Sequence, residues 1–79
     1  MLVPICLPDL GAAELPLRVT AWFVEHGDRV EKGDRIAEVA LSGITSDVKA
    51  TTSGHVARFA REIDASVTPG DILLWVEAD

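Results

Sequence analysis

The sequence has little cysteine, lysine or histidine, no long apolar run and no sustained helical period. Cys6 is the only cysteine among 79 residues, so no intrachain disulfide can form and the chain suits a reducing compartment. It is expected to be a small buried or half-buried residue of an edge strand, with a reactive thiol as the alternative. No apolar stretch approaches the length of a membrane span. Residues 2–7 lack a basic start and are interrupted by Pro4, so they do not read as a signal peptide and a cytoplasmic location is expected. Lys and Arg number 7 against 13 Asp and Glu, a formal net charge of −6. That balance argues against nucleic acid and favours solubility or a basic partner. His26 and His55 are the only histidines, and neither has Cys, Asp or Glu at a metal-ligand spacing. No metal is expected.

What is present is β-like. The hydrophobic fraction of 48% suffices for one small core. From Met1 to just past the last expected strand, residues 1–79 read as one complete domain. Residues 2–7 are β-prone, and Pro4 suits an edge strand. Pro8-Asp9-Leu10-Gly11 turns the chain, and residues 12–17 read as a loop because Pro16 cuts off a short helix. Residues 18–25 form the next expected strand, with Val19, Trp22, Phe23 and Val24 as its bulk. His26-Gly27-Asp28 and Lys32-Gly33-Asp34 are turn signals with Val30 pointing inward between them. Residues 36–41 and 44–48 flank Ser42-Gly43, the signature of a tight hairpin. Residues 55–61, anchored by Val56 and Phe59, and residues 72–77 complete the strands. Turns fall at Asp64-Ala65-Ser66 and Pro69-Gly70-Asp71, around Val67. The chain is all-β.

Sliding the sequence against itself by 37 positions (56 minus 19) exposes an internal repeat. Val19 meets Val56, Trp22 meets Phe59, Val30 meets Val67, and Gly33-Asp34 meets Gly70-Asp71. Ile36, Ala37 and Val39 then meet Leu73, Leu74 and Val76. Two units are too few for a solenoid. They imply two similar β motifs packed face to face around a pseudo-twofold axis and sharing one core.

The repeat also sorts candidate chemistry. Asp28 and Asp34 flank turns, and Asp71 recurs at the equivalent place. These carboxylates are therefore expected to cap turn N–H groups, since a catalytic group has no reason to recur there. Ser42, Thr45 and Ser46 have no identifiable base beside them, so catalysis by this chain is not expected. Trp22 reads as core because its repeat partner is Phe59. Trp75 pairs with Glu38 under the slide, on the strand face opposite Ala37 and Val39. It is read as lying flat over its sheet under the N-terminal strand, with an outward contact anchor as the alternative.

Taken in order, several motifs resemble one family. They are Leu7-Pro8-Asp9-Leu10-Gly11, Trp22, Gly27-Asp28-Arg29-Val30, Gly33-Asp34, Glu38-Val39, Ser53-Gly54 and Val67-Thr68-Pro69-Gly70. Together they resemble the lipoyl domain of 2-oxo-acid dehydrogenase acyltransferases, nearest the branched-chain type, and the related biotinyl carrier domains. The likeness covers essentially the whole chain. It implies a flattened barrel of two four-stranded antiparallel sheets, with a modified lysine on a tight hairpin at one end. The family's tip reads Asp-Lys-Ala, or Met-Lys-Met in the biotinyl branch, where this sequence has Ser42, Gly43 and Ile44. The early Gly-Glu-Gly segment is likewise Gly11-Ala12-Ala13. Gly43 has no side chain to acylate.

The resemblance thus implies a lipoyl-domain-like module without a covalent lipoyl or biotinyl group. Its role would be protein interaction, with a 2-oxo-acid dehydrogenase-type enzyme or another basic surface as partner and a monomer as the expected state. Leu41, Ile44 and Trp75 are the candidate contacts. The alternative is a genuine swinging-arm carrier modified at Lys49 or Lys32, the only lysines.

Overall fold

The computed structural model describes residues 1–10 and 17–79. Eight strands follow one another: β1 (Leu2–Cys6), β2 (Leu17–Trp22), β3 (Arg29–Val30), β4 (Arg35–Leu41), β5 (Ile44–Lys49), β6 (Gly54–Phe59), β7 (Ser66–Val67) and β8 (Ile72–Ala78). They form two four-stranded antiparallel sheets, in the orders β1-β8-β6-β3 and β5-β4-β2-β7. The molecule is elongated, 35 × 18 × 18 Å. Two expected strands are shorter than their composition suggests: β2 ends at Trp22 and β6 at Phe59. The loop expected over residues 12–17 lies largely outside the described residues, and Leu17 opens β2.

The internal repeat is written into the backbone. Shifting by 37 carries β2, β3 and β4 onto β6, β7 and β8. Thr20 is the extra residue where β2 slips against β4, and Ala57 is the extra residue at the equivalent slip of β6 against β8. Ile36 and Leu73 are likewise bulged against β5 and β1. Each bulge lets two successive residues, Ile36 with Ala37 and Leu73 with Leu74, face the interior, which plain alternation forbids. The connecting hydrogen bonds also recur. Gly27 donates to Val56 as Asp64 donates to Val19, and Gly33 donates to Ala50 as Gly70 donates to Leu7. The three turn carboxylates do the expected work: Asp28 accepts from the Glu25 N–H, Asp34 from the Glu31 N–H and Asp71 from the Thr68 N–H, at 2.8–2.9 Å.

The two halves interlock where the sequence suggests stacking. Each sends two long strands to one sheet and its two-residue strand, β3 or β7, across to the other. One core results, with Ile5, Leu7, Val30, Val56, Leu73, Leu74 and Val76 meeting Leu17, Val19, Ile36, Val39, Val48 and Val67. No polar side chain is buried among the described residues. Trp22 stands at the rim, half-buried, and touches its own repeat equivalent, Phe59, edge to face with centroids 4.8 Å apart. The quasi-twofold axis therefore passes between these two rings.

Cys6 is exposed, a correction to the buried or half-buried residue expected. Ile5 and Leu7 on either side both point into the core, so strand alternation turns the thiol outward.

Gly54 is required by close approach. A Cβ built there runs into the Glu77 carbonyl oxygen and lies 2.9 Å from the Ala78 Cα. Backbone cannot yield as a flexible side chain would. Gly54→Ala is expected to destabilise the fold by about 1–3 kcal/mol, read as a lower urea midpoint with an unchanged m-value.

Candidate functional site

The β4–β5 hairpin ends in a two-residue loop. Leu41 pairs with Ile44, and between them Ser42 has φ 51° and Gly43 φ 83°. Two successive left-handed residues define the type I′ turn, whose twist matches that of the flanking strands. Glycine reaches this region freely, whereas Ser42 does so against a steric penalty. The tip is open: Ser42, Gly43 and Ile44 are exposed, and a Cβ on Gly43 meets nothing within 4 Å. Leu41 leans back on the core, while Ile44 is 74% exposed. The expected tip residues therefore come together, with one apolar side chain held outward and no amine among them.

The second half has the same strand pair in β8 and β1, but without a connecting loop. Its place is taken by the two chain ends, where the Ala78 N–H donates to the Met1 carbonyl. By the quasi-twofold relation, the tip and the termini stand at opposite ends of the molecule.

Both lysines lie away from the tip. Lys49 ends β5, opposite Arg35 at the foot of the hairpin. Six residues at ~3.3 Å each put it about 20 Å from Gly43. Lys32 sits in the turn below, its N–H donating to Ser53 Oγ at 2.9 Å. The terminal end also holds the strongest ionic contact. Arg29 grips Asp79 with two nitrogens at 2.8 and 2.7 Å and reaches Glu31 at 3.1 Å. Its hydrogen bonds hold the Asp79 carboxyl below the usual carboxylate range, against the effect of desolvation, and raise the already high Arg29 pKa further.

Trp75 is half-buried on the outer face of its sheet, as alternation requires. β1 lies alongside β8 in the same sheet, with Pro4 opposite Trp75, and the Arg58 guanidinium stands 5.5 Å from the ring centroid. Trp75 and the tip residues thus belong to separate places, a sheet face and a strand apex. Sequence reasoning missed a second pairing of this kind, Arg35 over Phe23 at 4.3 Å. Its signal is the aromatic residue just past the end of β2, beside the first residue of β4, to which the Phe23 N–H ties it through the Ile36 carbonyl.

Comparison with known proteins converges on one family. The model of the family described as "Biotin-requiring enzyme", covering biotin and lipoyl domains, matches residues 3–76. The acetyltransferase component of the acetoin cleaving system of Pseudomonas putida is 32% identical over 72 residues, 91% of this chain and 20% of that protein. The lipoamide acyltransferase component of the branched-chain α-keto acid dehydrogenase complex of Bacillus subtilis is 26% identical over 73 residues, 92% and 17% of the two chains. This chain thus spans about a fifth of such relatives. Among solved structures, the lipoyl domain of the 2-oxoglutarate dehydrogenase complex of Azotobacter vinelandii superposes with a TM-score of 0.72. It covers 98% of this chain and 99% of its own at 19% identity.

The Arg29–Asp79 pair makes a pH-dependent contribution. Because the folded Asp79 pKa lies below its unfolded value, the contribution is complete above the unfolded carboxylate pKa. It is lost as pH falls through the folded value. Carboxyl-carbon NMR titration is expected to place the Asp79 midpoint below the ordinary range, and Arg29→Ala to return it there.

Proposed function

This chain belongs to the biotin- and lipoyl-domain family, and from that premise we propose that it is a lipoyl-domain-like module that carries no covalent cofactor and acts by binding a protein partner. One observation carries the reading. The hairpin apex, where the family resemblance puts the acceptor lysine, consists of Ser42 and Gly43. A lipoyl or biotinyl arm is joined through an amide to a lysine amine, and the apex has none. Lys49 and Lys32 both stand at the foot of the hairpin, where a ligase that recognises an apex does not meet them.

What the apex offers instead is Ile44, an apolar side chain displayed on a rigid two-residue turn and backed by Leu41. Such a knob gains by entering a partner's apolar pocket, to the extent of ~1.5–3 kcal/mol for a fully buried side chain. A 2-oxo-acid dehydrogenase-type enzyme is the partner class that the relatives suggest, since those proteins are named as components of such complexes. Residues 1–79 act in this reading as one cytoplasmic, non-catalytic domain.

Intact-mass analysis after co-expression with lipoyl and biotinyl ligases is expected to return the unmodified chain. A gain of one lipoyl or biotinyl group on the wild type overturns the proposal, and Lys49→Arg and Lys32→Arg then locate the arm. Gly43→Lys is expected to become a ligase substrate, because its Cβ enters open space and the left-handed backbone costs only about 1–2 kcal/mol. Ile44→Asp is expected to weaken capture of a dehydrogenase-type component about tenfold or more in a titration. Unchanged capture rejects the tip as the contact.

A further inference from the structure

The edge of a sheet is open to another chain, and four strands hold edges here: β1, β3, β5 and β7. β3 and β7 have two residues each. In β1, Met1 accepts from Ala78 and Leu7 donates to Asp71. Odd-numbered residues therefore bond to β8, while Leu2, Pro4 and Cys6 turn their backbone groups to the open side. Pro4 has no N–H to give, so this edge is interrupted at its centre.

β5 has no such protection. Ala50 donates to Asp34 and accepts from Gly33, and at the other end Ile44 closes the hairpin against Leu41. Even-numbered residues thus bond to β4, and Thr45, Asp47 and Lys49 present N–H and C=O groups outward. The side chains of these three residues are exposed on the outer face. Lys49 lies directly opposite Arg35, an unfavourable like-charge neighbour. Asp47, opposite Glu38, is engaged by Arg35 at 2.8 Å. Lys49 makes no ion pair among the described residues.

We propose that β5 is a dimerisation edge that pairs antiparallel with β5 of a second copy about a two-fold axis at Val48. In that register Asp47 of each copy exchanges both outward backbone hydrogen bonds with Lys49 of the other, and their side chains meet as opposite charges. Backbone parity allows only shifts of two residues. The neighbouring registers set Asp47 against Asp47, or Lys49 against Lys49, and are disfavoured by like charge. The charges that blunt an edge against arbitrary strands therefore select one self-complementary pairing. The contact is isologous and uses up both β5 edges. With β1 interrupted by Pro4, assembly closes at two copies. The net charge of −6 on each copy opposes association, so the dimer is weak.

Sedimentation of the 79-residue chain from micromolar to millimolar concentration is expected to show a monomer–dimer equilibrium, with amide NMR shifts on dilution confined to residues 45–51. Lys49→Asp and Asp47→Lys are each expected to weaken self-association about tenfold or more. An equimolar mixture of the two variants is expected to recover it as a heterodimer, since each chain then brings one sign of charge to the strand. Should either variant lose its β-sheet circular dichroism, the double exchange Asp47→Lys with Lys49→Asp keeps both charges and is expected to dimerise like the wild type. A chain monomeric at millimolar concentration, self-association indifferent to both single substitutions, or a mixture or double exchange that fails to recover it overturns the proposal.

Discussion

The structure depends on a core that neither half of the chain can close alone. Each repeat lends its shortest strand to the other's sheet, β3 beside β6 and β7 beside β2. Two residues of ladder contribute little by themselves, but Val30 and Val67 in those strands are fully buried. Each thus plugs the core beneath a sheet built mainly by the opposite repeat. Folding is then all-or-none by construction, because removing either half uncovers both faces of the interior. The quasi-twofold axis between Trp22 and Phe59 follows from that exchange.

This constraint explains which parts of the fold are legible in the sequence. A repeat whose units occupy equivalent places must keep the same residue types wherever the backbone needs them. Hence Gly33-Asp34 and Gly70-Asp71 are legible as turns, and their carboxylates as caps, from the sequence itself. Strand ends were less legible. Phe23 and Val24 are as β-prone as the residues before them, but past the Phe23 N–H bond to the Ile36 carbonyl the Glu25 backbone is taken up by the turn to Asp28, and the strand ends at Trp22. The exchange of short strands between sheets leaves no local trace, since residues 29–30 and 66–67 carry one valine each whichever sheet they join. The outward facing of Cys6 is illegible for a related reason: its small apolar character says little about facing, whereas alternation between Ile5 and Leu7 decides it.

The candidate site shows the opposite pattern. The Ser-Gly pair and the family likeness locate it in the sequence, and the structure adds the conformation of the turn. With both loop residues left-handed, the hairpin cannot lengthen or slip without moving Leu41 out of the core. The same turn that costs Ser42 a steric penalty holds Ile44 outward beside it, so the proposed contact needs only the fixed turn and the exposed side chain that follows it.

The same symmetry separates structural from functional residues. Where a feature recurs at an offset of 37, as the bulges at Thr20 and Ala57 do, the fold is reason enough for it. Where the two halves differ, the fold supplies no reason. The hairpin tip has as its counterpart the Met1–Ala78 backbone pair, which no two-residue loop joins. Trp75, under Arg58, is matched by Glu38, whose carboxylate accepts from the Thr20 hydroxyl. β5, open and charged, is matched by β1, interrupted by proline. These asymmetries all sit on the surface, while the equivalent interior positions remain apolar. The barrel is thus a symmetric frame on which exposed positions are free to diverge, and the contacts proposed for it use residues that break the repeat.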